Sequence, residues 1–270
     1  MADCLMIQNG KARVTTDEGR SFEQDEAQFV EMLRRELLPP VNGVAFPDGI
    51  KFLEYRDPVL MVVHQQPPHV RQLRWIKADS PRQYGPGTTY RKVRLSLPYA
   101  ITFAAFYRHG NNLCLSGSNE LYFRNQPLKS KKDPIGFPAV LNISYIKTPK
   151  RIRAWICTQH LRHPPGSDWT RQLNGLLDHT WNGAFNLSSE AHEGASWYGK
   201  SAGIHPDLHP VEKWEQASAK DDAFGLQVPW TPSPLNVGDL LECLFEEHLA
   251  TAGRKPVNLV GRFLNFAQKK

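Results

Sequence analysis

Tyr90-Arg91-Lys92-Val93-Arg94-Leu95-Ser96-Leu97 sets Val93, Leu95 and Leu97 against Lys92, Arg94 and Ser96 in strict alternation. A period of two sends one set toward a core and the other toward water, the pattern of a strand with one wet face. Leu73 and Trp75 alternate with Arg74 in the same way, and Val59–Val63 is a continuous apolar run. Downstream, Ala100–Tyr107, Leu113–Leu115, Glu120–Phe123, Val140–Ile146 and Ile152–Cys157 are further short strand candidates, separated by Gly, Pro and Asn. Short strands with turn residues between them predict an antiparallel meander.

On either side the pattern changes. Upstream, Leu5–Gln8 and Lys11–Val14 flank Asn9-Gly10, a hairpin signal. Ser21 and Gln24 then read as a capping box before Phe22, Phe29, Leu33 and Leu37, a helix ended by Pro39-Pro40. Downstream, Asp168 can cap a helix that buries Leu173, Leu176, Leu177 and Trp181. Pro210 suits the first turn of a helix holding Trp214, and a third, roughly 237–251, presents Leu241, Leu244, Phe245 and Leu249. Strands first and helices later predict an α+β fold with helices against the sheet. Residues 1–49 read as an N-terminal hairpin-and-helix extension, 50–185 as the core, and 186–270 as a loop and helical C-terminal extension.

The 270 residues carry 33 Lys and Arg against 27 Asp and Glu, a formal charge of +6. Spread over this length, that excess makes nucleic acid an unlikely partner on charge alone. With 40% apolar residues the chain can bury a sizeable core. No run reaches the ~18 apolar residues of a membrane span, and Met1–Gly10 lacks the layout of a signal peptide. Four dispersed cysteines do not form a disulfide scaffold, so the expectation is a cytoplasmic protein with reduced thiols and no membrane partner. P-loop, dinucleotide-glycine, G-x-S-x-G and H-E-x-x-H motifs are absent.

Cys157 is the candidate nucleophile. It ends an apolar strand, and Lys147, Lys150, Arg151, Arg153, His160, Arg162 and His163 lie near it in sequence. Positive charge of that kind stabilises a thiolate. Cys114, between Leu113 and Leu115, and Cys243, beside Leu241 and Leu244, read as core.

The strings Glu120-Leu121-Tyr122-Phe123-Arg124-Asn125-Gln126-Pro127-Leu128, Phe137-Pro138-Ala139-Val140-Leu141-Asn142-Ile143 and Ala154-Trp155-Ile156-Cys157, preceded by Tyr90–Leu97 with Pro98-Tyr99, carry a resemblance. Over roughly residues 70–185 the chain resembles divergent bacterial members of the ubiquitin-conjugating fold, the PRTRC protein B family among them. The resemblance implies a ubiquitin-conjugating-like α+β core in which Cys157 carries a ubiquitin-like modifier as a thioester and passes it to an amine. Asn142 would match the asparagine that stabilises the oxyanion. Implied partners are an adenylating enzyme of ThiF type, the modifier and a JAB-type peptidase, with no cofactor of the chain's own. The family's usual His-Pro-Asn is here Val140-Leu141-Asn142, and Asn142 precedes Cys157 by 15 positions, a wider gap than usual.

In Asn186–Tyr198, Glu190, His192, Glu193 and Trp197 are candidates for binding an incoming lysine, against the plainer reading of a turn anchored by Trp197 and Tyr198. Three other functions compete. One is a catalytically inactive binding module of the same fold. Another is a cysteine hydrolase with His160 or His179 as base. The third is a zinc site from Cys157, His160, His163 and His179, for which the C-x2-H-x2-H spacing is unusual.

Overall fold

The computed structural model describes residues 4–8, 11–15, 20–29, 48–80, 87–110, 112–158, 160–163 and 168–252. The strands are β1 (Cys4–Gln8), β2 (Lys11–Thr15), β3 (Ser21–Asp25), β4 (Ile50–Arg56), β5 (Val59–Gln66), β6 (His69–Ile76), β7 (Tyr90–Leu97) and β8 (Tyr99–His109). They continue as β9 (Asn112–Leu115), β10 (Asn119–Arg124), β11 (Pro134–Gly136), β12 (Ile143–Lys147), β13 (Ile152–Ile156), β14 (Ala184–Phe185) and β15 (Pro232–Asn236). The helices are α1 (Trp169–Asn182), α2 (Ser188–His192), α3 (Val211–Lys220), α4 (Phe224–Gln227) and α5 (Val237–Ala252).

Twelve strands form one sheet, ordered β12-β13-β10-β8-β5-β4-β1-β2-β3, with β9 on β8, and β11 joining β10 to β15. Its pairings are antiparallel. The fold is therefore α+β and largely antiparallel, but it is not a simple meander. The β6–β7 hairpin leaves the large sheet and, with β14 in parallel on β6, makes a second sheet of three strands. Pro67-Pro68 before the hairpin and Pro98 after it explain the departure, because proline has no N–H to give a ladder.

Side-chain alternation along β8 divides the helices between two faces. Phe106 meets Trp169 of α1 edge to face at 6.0 Å, while the next residue, Tyr107, meets His248 of α5. Helix α1 starts where Asp168 accepts a hydrogen bond from Arg171 N at 2.8 Å, and it buries Leu173, Leu176, Leu177 and Trp181. Helix α5 buries Leu240, Leu241, Leu244 and Phe245, with Leu249 half-buried. Trp214 of α3 is fully enclosed and donates to Ser96 O.

Three local expectations need correction. Residues 21–25 are strand β3, paired with β2, and the helix begins only at 26, with Asp25 accepting from Ala27 N at 2.9 Å. The capping box gives way because cross-strand pairing, including the Arg13–Glu23 ion pair, fixes Ser21–Asp25 as extended. Leu33, Leu37 and Pro39-Pro40 lie outside the described residues, as does the Asn9-Gly10 turn between the paired β1 and β2. Cys114 is exposed, because Leu113 points inward and the two-residue period turns Cys114 out. The segment after Phe185, read as a polar loop, carries short helices, and buried Ser189, Ser196 and Leu208 hold it together with Trp197 and Tyr198, the anchors the plainer reading named.

Candidate functional site

Asn142 and Cys157 lie at the open end of the β12–β13 hairpin. Its register runs from Lys147↔Ile152 to Ile143↔Ile156, so Asn142 and Cys157 follow directly beyond the last pair. The 15-residue separation is thus spanned by a hairpin. Cys157 and Asn142 are both half-buried. Asn142 Oδ1 accepts from Asn186 N at 3.3 Å, and Asn186 Nδ2 lies 3.3 Å from the Tyr90 hydroxyl. This amide contact fixes which edge of the Asn142 side chain faces the segment after α1.

The C-terminal turn of α1 lies over this end of the hairpin. His179 Nε2 is 2.9 Å from the Cys157 carbonyl oxygen, which only accepts, so this nitrogen carries the proton and donates. That contact engages the imidazole on the backbone, and among the described residues no imidazole–thiol contact supports the hydrolase reading. His163 packs against α1 at Gly175, and its pKa is lowered by burial and then by His179. His160 is exposed. Among the described residues no three His, Cys, Asp or Glu side chains converge as a metal site requires.

The hairpin cations expected near Cys157 are engaged elsewhere. Lys147, Lys150 and Arg151 sit at the far end of the hairpin, about 15–20 Å away at roughly 3.3 Å per residue. Arg151 and Arg153 are instead bound to Glu120, which is fully buried on β10. Arg151 forks onto both Glu120 oxygens at 2.7 Å, Arg153 Nε donates to Oε1 at 2.7 Å, and the Tyr122 hydroxyl donates to Oε2 at 2.8 Å. Glu247 of α5 closes the other side of Arg151 at 2.9 and 3.0 Å. Burial alone would raise the Glu120 pKa, but the two guanidinium groups outweigh it and hold the carboxyl below its ordinary value. The sequence signal was present in Glu120-Leu121-Tyr122, where Glu120 shares an inward face with Tyr122. Its pairing with residues 31 and 33 positions away was not.

The segment expected to bind an amine is mostly structural. Ala195–Trp197 pairs with the outer edge of β12, through Tyr145 N to Ala195 O at 3.0 Å and Trp197 N to Ile143 O at 2.9 Å. Trp197 is buried, stacked on Phe137 at 4.0 Å, and its Nε1 donates to Arg153 O at 3.2 Å. Glu190 accepts from Ser196 Oγ at 2.8 Å, and Glu193 lies 3.2 Å from Ser144 Oγ. Of the four candidates His192 alone is exposed. The structure therefore sets Asn142 and Cys157 just beyond the last pair of the β12–β13 ladder and gives Trp197, Glu190 and Glu193 anchoring contacts.

No protein-family model, curated protein or solved structure matches this chain.

Proposed function

We propose that the chain accepts the C terminus of a ubiquitin-like modifier on Cys157 and transfers it to an amine. The observation that supports this reading is the hairpin register that sets Asn142 directly beyond Ile143 and Cys157 directly beyond Ile156. The thiolate of Cys157 attacks the acyl carbonyl of an adenylated modifier, forming the thioester as the carbon–oxygen bond to AMP breaks. An amine then attacks the thioester, the carbon–sulfur bond breaks, and the thiolate is regenerated as the amine loses its proton. Both steps pass through a tetrahedral oxyanion, to which the Asn142 amide can donate. The ubiquitin-conjugating-like core, the ThiF-type adenylating partner and the JAB-type peptidase belong to this reading through the sequence resemblance.

A second reading is a binding module for such a protein without transfer. It is favoured by the Arg151–Glu120–Arg153 network, which holds two of the expected cations away from the thiol. A peptide thioester ending in Gly-Gly separates the two. Transfer predicts an acyl adduct on Cys157 by peptide mass spectrometry, labile to hydroxylamine and discharged onto free lysine. A Cys157→Ser protein should then carry no adduct that hydroxylamine releases at neutral pH. Absence of any adduct on Cys157 would overturn transfer and leave the binding module.

A further inference from the structure

The outer face of the β6–β7 hairpin carries a compact set of cations. Gln72 lies opposite Arg94 and Arg74 opposite Lys92, and all four are exposed. Leu73, Trp75, Val93 and Leu95 fill the other face and are buried. The pleat therefore spaces Arg74, Lys92 and Arg94 on a grid of about 4.8 by 6.6 Å. Arg74 and Lys92 are directly opposed like charges, an arrangement that weakens a strand pair. Among the described residues none of the three side chains forms an ion pair; Arg74 lies over the Tyr90 ring at 5.4 Å. Two acids of α3 beside this hairpin are engaged elsewhere. Glu212 and Glu215 hold Arg91, and Glu215 also accepts from Arg94 N.

We propose that this face docks an acidic protein surface presenting carboxylates at similar spacing. Arg74 and Arg94 offer planar forks suited to bidentate carboxylate contact, with Lys92 between them as a point charge. The contact must be made by side chains. One edge of the hairpin is closed by β14, and the other is capped by Glu215 and by Ser218, which accepts from Ser96 N at 2.8 Å. A nucleic acid fits less well, because Tyr90, the aromatic residue on this face, is covered by Arg74 and its hydroxyl meets Asn186. The closed edges also prevent the hairpin from entering a groove as a free ribbon. The inference does not depend on transfer through Cys157.

The test is fluorescence anisotropy of a labelled peptide of alternating Glu and Thr, at an ionic strength of about 10 mM, where the Debye length is about 30 Å. The expected result is saturable binding that Arg74→Glu, Lys92→Glu and Arg94→Glu together weaken on the order of tenfold or more. Charge reversal at Lys129 and Lys132, on a separate loop, should leave it unchanged, and the Gln-for-Glu peptide should not bind. No binding, or binding that survives the triple reversal, would overturn the proposal. So would tight binding of an oligothymidylate through the same three residues with none of the peptide.

Discussion

Gly183 has no side chain where two groups already stand. A Cβ there would lie 2.9 Å from His179 O and 3.4 Å from Asn142 Nδ2. The glycine lets α1 end against the residue assigned to the oxyanion, while Asn186 holds the other edge of that amide. Gly183→Ala should therefore lower stability by about 1–3 kcal/mol, the range for overpacking, as measured by urea denaturation. It should also slow acyl discharge from Cys157 more than it slows loading. The asparagine and the cysteine were legible as residues, through the resemblance. The hairpin between them was legible too, from two strand candidates around 147–153; its exact register, which sets both residues just beyond the last pair, was not.

At the scale of elements, β10, β13 and α5 meet across charge rather than across an apolar seam. Removing Glu120 leaves the buried Arg151 with Glu247 alone and takes the carboxylate from Arg153, so Glu120→Ala should cost about 3–5 kcal/mol in chemical denaturation. Helix α5 adds a histidine to this contact. His248 is buried, its Nδ1 lies 2.6 Å from the Tyr107 hydroxyl, and burial, then Arg153, lowers its pKa. The unfolded chain thus takes up this proton before the native one, so its contribution is intact above about pH 6.5 and is lost as the pH falls below that value. His64, also lowered by burial, acts in the same direction. The urea midpoint should therefore drop between about pH 7 and 5.5, and less steeply in His248→Gln. Sequence patterning found α1, α3 and α5, whose apolar stripes are strong. It misread 21–25 and the arginines expected near Cys157, because long-range pairing decided both: β2 for the first, and Glu120 for the second.

Across the whole molecule, segments from both ends of the chain join the same sheet. Met6 of β1 pairs with Phe52 of β4, and β15 pairs with β11 beside α5. None of the helices among the described residues is long and apolar enough to cross a membrane. Strands β1, β2 and β3 and strand β15, with α5 beside it, thus join the sheet that contains most of the 50–185 strands, a connection that composition and periodicity did not disclose. Deleting 232–270 should expose the apolar surface beneath Leu240, Leu241, Leu244 and Phe245 and yield an aggregating protein by light scattering. The central claim is that Asn142 and Cys157 act as one acyl-transfer pair. Its most direct test is the rate at which a Cys157 peptide thioester discharges onto lysine, compared between the native protein and Asn142→Ala. The account predicts discharge slower by about 10²-fold in the variant, as for loss of an oxyanion donor; equal rates in the two proteins would contradict it.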